Sequence, residues 1–88
     1  MLRLKRVIEA EKGLLVEPAG LLSSTALKYK CSVYLKIRNF EVNAKSVLGI
    51  LSAKVKKGEE IELSISGEDE AACFDALNKC IDKINSEG

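Results

Sequence analysis

Histidine and tryptophan are absent from the sequence, proline and methionine occur once each, and the aromatic residues are two tyrosines and two phenylalanines. Without histidine there is no imidazole to serve as general base, nucleophile or neutral metal ligand near pH 7. The three cysteines, Cys31, Cys73 and Cys80, have no histidine to complete a zinc site, and no two are spaced Cys-x-x-Cys. Cys73 and Cys80 are expected on one helix, roughly 10 Å apart, which is too far to bridge. The expectation is three small, buried hydrophobes in a reducing cytoplasm. So few aromatics, no RNP-like pattern and a net charge of +1 with mixed signs argue against a nucleic-acid partner. No apolar run approaches the ~18 residues of a membrane helix, and with charges inside the apolar pattern of Met1–Arg6 no signal peptide is expected there. There is no Walker sequence and no GxGxxG, so no nucleotide cofactor is implied. Neither a metal, a cofactor nor an enzymatic centre is expected.

What is present is a regular pattern. Eighty-eight residues predict one domain spanning residues 1–88, with a modest core. Leu2, Leu4, Ile8 and Ala10 fall on even positions and predict a half-buried strand, interrupted at Arg6 and Val7. Glu11-Lys12-Gly13 reads as a turn, Leu14-Leu15-Val16 as a short apolar loop, and Pro18 as the first turn of a helix. Ala19, Leu22, Ala26 and Tyr29 recur at helical spacing and are expected to face the core. Val33, Leu35 and Ile37 alternate, and Arg38-Asn39 predicts a tight turn with Asn39 in the left-handed conformation. Phe40 to Ala44 is then expected to pair back. Ser46 occupies an N-cap position, its hydroxyl placed to accept from the amide of Leu48 or Gly49, and a short helix runs to Leu51 or Ser52. Lys56-Lys57-Gly58-Glu59 is the next turn, and Ile61, Leu63 and Ile65 mark a fourth strand. Gly67–Glu70 opens the last helix, with Cys73, Leu77, Cys80, Ile81 and Ile84 as its stripe. The order βαββαβα, with one-sided strands and striped helices, predicts an α+β fold with helices on one face of an antiparallel sheet.

Asn43-Xaa-Lys45-Ser46-Xaa-Xaa-Gly49, followed by Lys57-Gly58 and Ser64-Xaa-Ser66-Gly67, resembles the HPr family, the phosphocarrier proteins of the bacterial sugar phosphotransferase system. With Gly13 and Pro18-Ala19, the resemblance covers nearly the whole chain without gaps. It implies the open-faced β-sandwich, a four-stranded antiparallel sheet with three helices on one face. The family's Gly-Ile-His-Ala-Arg-Pro-Ala reads here Gly13-Leu14-Leu15-Val16-Glu17-Pro18-Ala19. The phosphohistidine position is Leu15 and the arginine position is Glu17. Leucine has no nucleophile, and Glu17 puts a negative charge where a phosphoryl dianion would need a donor. The carrier role, which homology alone would assign, is excluded by chemistry.

The resemblance further implies that Ser46 is the position phosphorylated by HPr kinase in Gram-positive relatives, whose phosphorylated form acts with a LacI-type catabolite regulator. A family branch called Crh has lost the histidine, kept this serine and serves only regulation. Positions matching Val47, Leu48 and Leu51 form the family's partner-docking patch, which Leu14, Leu15 and Val16 are expected to extend, with Glu17 beside them. Lys45 is expected to lend a cation to a phosphate on Ser46. Lys54, Lys56 and Lys57 follow the patch and are expected either to face an acidic partner or to form a solvated turn. The reading is therefore a cytoplasmic regulatory protein of the phosphotransferase system, working by protein contacts and monomeric or a weak or domain-swapped dimer. The alternatives are a phosphocarrier and a constitutive interaction module without phosphorylation.

Overall fold

A computed structural model describes residues 1–87. Strand β1 (Leu2–Val7) is followed by α1 (Val16–Leu27), β2 (Ser32–Ile37), β3 (Phe40–Asn43), α2 (Val47–Ser52), β4 (Glu60–Ser66) and α3 (Glu70–Glu87). The four strands form one antiparallel sheet in the order β1-β4-β2-β3. Alternation decides which face is buried. Leu4, Val33, Leu35, Ile37, Ile61, Leu63 and Ile65 point to the helix side and are buried. Ala19, Leu22 and Ala26 of α1, Ile50 of α2 and Cys73, Leu77, Cys80, Ile81 and Ile84 of α3 meet them. The other face is open, and the register sets Lys5, Glu62, Lys36 and Glu41 side by side across it.

Several local expectations are corrected. The strand pattern at the start of the chain ends at Val7, although Ile8 and Ala10 remain buried beyond it. Arg6 breaks the alternation because its guanidinium reaches across to α3, donating to the Asn78 side chain at 2.6 Å and pairing with Asp82 at 2.7 Å. In the β2–β3 turn the left-handed residue is Arg38 (φ 52°), not Asn39. Arg38 gains compensating contacts there: it donates to the Ala53 carbonyl at 2.5 Å, at the end of α2, and pairs with Glu59. The first helix starts at Val16, inside the expected loop, with Leu15 as its N-cap and Pro18 in its first turn, where a missing N–H costs no helical bond. Tyr29 lies past the end of α1 and is half-buried rather than core. The last helix starts at Glu70. Ahead of it the Asp69 carboxylate accepts from the amides of Lys30 (2.8 Å) and Cys31 (3.0 Å), tying the α1–β2 connection to α3.

Candidate functional site

The Ser46 corner is built by three local hydrogen bonds. The Asn43 side chain accepts from the Lys45 amide at 2.9 Å, and the Asn43 carbonyl accepts from the Ser46 amide at 3.0 Å, which turns the chain out of β3. Ser46 is extended (φ −109°, ψ 118°) and its hydroxyl accepts from the Gly49 amide at 3.0 Å, as an N-cap does. A side chain at Gly49 would be tight: a Cβ there would lie 3.1 Å from the Asn43 carbonyl oxygen and 3.3 Å from the Ser46 Cβ. The Ser23 hydroxyl of α1 donates to the Lys45 carbonyl at 2.9 Å and fixes the corner against the helix.

Lys45 is tied down on the other side of the corner. Its ammonium donates to the Tyr29 carbonyl at 2.7 Å, at the end of the α1 region, so it is already engaged by the backbone. Lys57 is likewise engaged, paired at 2.9 Å with Glu11 on the opposite turn; this contact raises the pKa of Lys57 and lowers that of Glu11. Lys54 and Lys56 are exposed.

Helix α2 divides its apolar residues between core and solvent. Ile50 is fully buried, and Val47 and Leu51 are half-buried against the core. Leu48 is 78% exposed, the most exposed large apolar side chain among the described residues. Exposed apolar surface of this kind suits a contact site.

Leu15 and Glu17 lie elsewhere. With Gly13, Val16, Lys83 and Ile84 among others, they line a cleft of about 780 Å³ between the loop that precedes α1 and the last turns of α3. Leu15 and Val16 are 51% and 69% exposed, whereas Leu14, expected to share their patch, is buried at 1%. Leu14 faces inward because its amide is held by the Val55 carbonyl at 3.1 Å, just beyond α2. Gly13 (φ 70°) lies so close to the same strand of backbone that a Cβ would fall 2.1 Å from the Val55 oxygen. The two loops therefore touch through Val55, and the Ser46 corner is tied to α1 by the bond from Ser23 to the Lys45 carbonyl.

Two features escaped the sequence. One is Arg38 as the tie on the end of α2. The other is Asp69, whose carboxylate holds the Cys31 amide while its carbonyl accepts from the Cys73 amide. Both join residues far apart in the chain, and no local pattern announces them. The cysteines are buried, as expected; burial and the neighbouring Cys31 push the Cys73 thiol up to about 12, and burial raises Cys80 as well.

The family model described as the phosphotransferase HPr component phosphorylation site matches residues 3–83. The chain is similar to the solved structure of HPr-C-His from Thermoanaerobacter tengcongensis, at 34% identity and a TM-score of 0.93, over 100% of this chain and 99% of that one. It is similar to Crh of Bacillus subtilis, at 31% identity and a TM-score of 0.75, over 96% and 97%; that protein is described as a dimer with a swapped domain. The phosphocarrier HPr of Bacillus anthracis matches at 25% identity and 0.83, over 90% and 94%. Sequence motif, sheet topology and relatives agree, and the chain belongs to the HPr family.

Proposed function

We propose that this is a regulatory HPr-like protein that acts through protein contacts and is switched by phosphorylation of Ser46. The observation that carries the reading is the pairing of an intact Ser46 corner with a leucine at the phosphohistidine position. Phosphoryl transfer from phosphoenolpyruvate needs an imidazole, and the sequence has none. Ser46 retains the N-cap bond to Gly49 and opens the helix that carries the exposed Leu48. A phosphoryl group added to its oxygen brings about two negative charges and several acceptors to the edge of an apolar contact surface. Such a change alters which partner that surface suits. The Lys45 ammonium, one of its three donors engaged by the Tyr29 carbonyl, keeps its positive charge next to this corner.

The test is incubation with HPr kinase and labelled ATP, in which the Ser46 hydroxyl attacks the terminal phosphorus and ADP leaves. Ser46 is expected to carry the label, and Ser46→Ala to abolish it. Labelling elsewhere, or none, overturns the switch. Glu17 favours a second reading, a constitutive interaction module, because it places an acid where relatives have arginine. In that case partner capture is unchanged by Ser46→Ala and no kinase acts.

A further inference from the structure

We propose that the recess between the start of β2 and the end of β3 binds a tetrahedral oxyanion, the phosphoryl group of inorganic phosphate or of a phosphate monoester. The recess holds about 100 Å³, and Lys30, Ser32, Tyr34, Asn43 and Lys45 stand in its wall. Each of these five side chains can donate a hydrogen bond, and the wall contains no carboxylate. Ser32 and Tyr34 are two apart on β2, and Asn43 opposes Tyr34 in the β2–β3 pair, so the three share the open face of the sheet and are exposed. Lys30 precedes the strand, is exposed, and forms no ion pair among the described residues. Donors thus come from the α1–β2 connection, from β2 and from the end of β3. Approach from three sides suits a tetrahedral anion better than a planar carboxylate.

Two of the donors are already ordered. Lys45 gives one N–H to the Tyr29 carbonyl at 2.7 Å, which fixes a flexible side chain one residue from Lys30 and leaves two N–H bonds to donate. Asn43 accepts through Oδ1 from the Lys45 amide at 2.9 Å, which leaves its amide nitrogen as a donor. Groups ordered before the ligand arrives lose little freedom on binding it. The surrounding charge has the right sign. The row of the open face that holds Asn43 and Tyr34 continues through Ser64 to the exposed Arg3 and contains no acid. Glu41 lies in the next row, opposite Lys36. Asp69, the acid in contact with this segment, has both carboxylate oxygens taken by the amides of Lys30 and Cys31. A recess of about 100 Å³ accepts a phosphoryl group but not a sugar or a base beside it, so a monoester enters by its phosphoryl end alone.

The experiment titrates the isotope-labelled full chain with sodium phosphate at constant ionic strength and follows the backbone amide resonances, with chloride as the blank. The expected result is a saturable shift centred on Lys30–Tyr34 and Asn43–Lys45. Lys30→Gln should weaken binding about threefold or more, and Lys30→Gln with Lys45→Gln about tenfold or more, through loss of charge-assisted contacts. Lys79→Gln removes the same charge from an exposed position on α3 and should leave the Kd unchanged. Glycerol phosphate separates the two sources. Binding as tight as that of inorganic phosphate, or tighter, assigns the recess to the phosphoryl end of a monoester, and weaker binding assigns it to free phosphate. Shifts that grow without saturating, shifts centred on the cleft of Leu15 and Glu17, or a Kd that Lys30→Gln leaves unchanged overturn the proposal. Among the described residues no hydrogen bond or ion pair uses the Lys30 side chain, so that variant decides the matter even if Lys45→Gln disturbs the fold.

Discussion

At position 15 the side chain is half exposed on the lip of the cleft, and its carbonyl already accepts the first helical bond, from Ala19 at 2.8 Å. Histidine placed there needs no rearrangement of the core and supplies a nucleophile that is mostly neutral at pH 7. Glu17 lines the same cleft and opposes a phosphoryl dianion. Leu15→His alone is therefore expected to take at most traces of label from phosphoenolpyruvate through enzyme I. Adding Glu17→Arg should raise labelling about tenfold or more, because repulsion becomes a possible two-point contact. Equal labelling of the two variants would show that Glu17 does not act on position 15. The Ser46 cap lends itself to a separate measurement. Ser46→Ala is expected to cost about 1 kcal/mol in urea unfolding and Ser46→Asp much less, since aspartate caps as well as serine. A larger loss in the aspartate variant would count against the cap.

Helix α2 shows why its apolar residues do not all have one role. Six residues make fewer than two turns, so Ile50 can be buried while Leu48, two positions earlier, is turned to solvent. Leu48→Asp is expected to change stability by no more than about 0.5 kcal/mol while weakening capture of a partner. Ile50→Ala is expected to cost about 2–5 kcal/mol, read from chemical denaturation. Unfolding by Leu48→Asp would show that the exposed face supports the core. The two strands with strict alternation, through Val33–Ile37 and Ile61–Ile65, were legible because burial on one face writes a period of two into the sequence. The Ser46 cap was legible because its partner is three residues away. Arg38 was not: asparagine is the ordinary occupant of a left-handed turn position, and only the distant Ala53 carbonyl and Glu59 make arginine suitable there. Leu14 was misread for the same reason, its inward turn being set by Val55.

Across the whole molecule, connections between elements are closed by carboxylates. Glu59 is held below the ordinary carboxylate range by Arg38 and by the Lys56 amide, Asp69 by the Lys30 and Cys31 amides, Glu70 by the Gly67 amide and Glu11 by Lys57. A carboxyl whose pKa is depressed on folding stabilises the folded state above its unfolded value and loses that contribution as pH falls through the folded value. Stability is therefore expected to be flat near neutrality and to decline below about pH 4 to 5. Asp69→Asn should flatten that decline while lowering the melting temperature at pH 7. Thermal melts from pH 7 to pH 2.5 check both, and a melting temperature independent of pH would remove the carboxylates from the account.

Gly13 has an implication for what a family signature records. No side chain fits between it and the Val55 oxygen, and its φ of 70° is in the left-handed region, so the loop keeps its glycine for reasons of space and backbone conformation. Leu15 and Glu17, by contrast, stand in the open and are free to vary without cost to the fold. Mutational tolerance along this loop is thus the inverse of chemical importance: the positions that define ancestry are those that cannot change, and the positions that define the reaction are those that can. A lineage can therefore lose its reactive residue in one step and continue to carry the emblem of the activity it gave up.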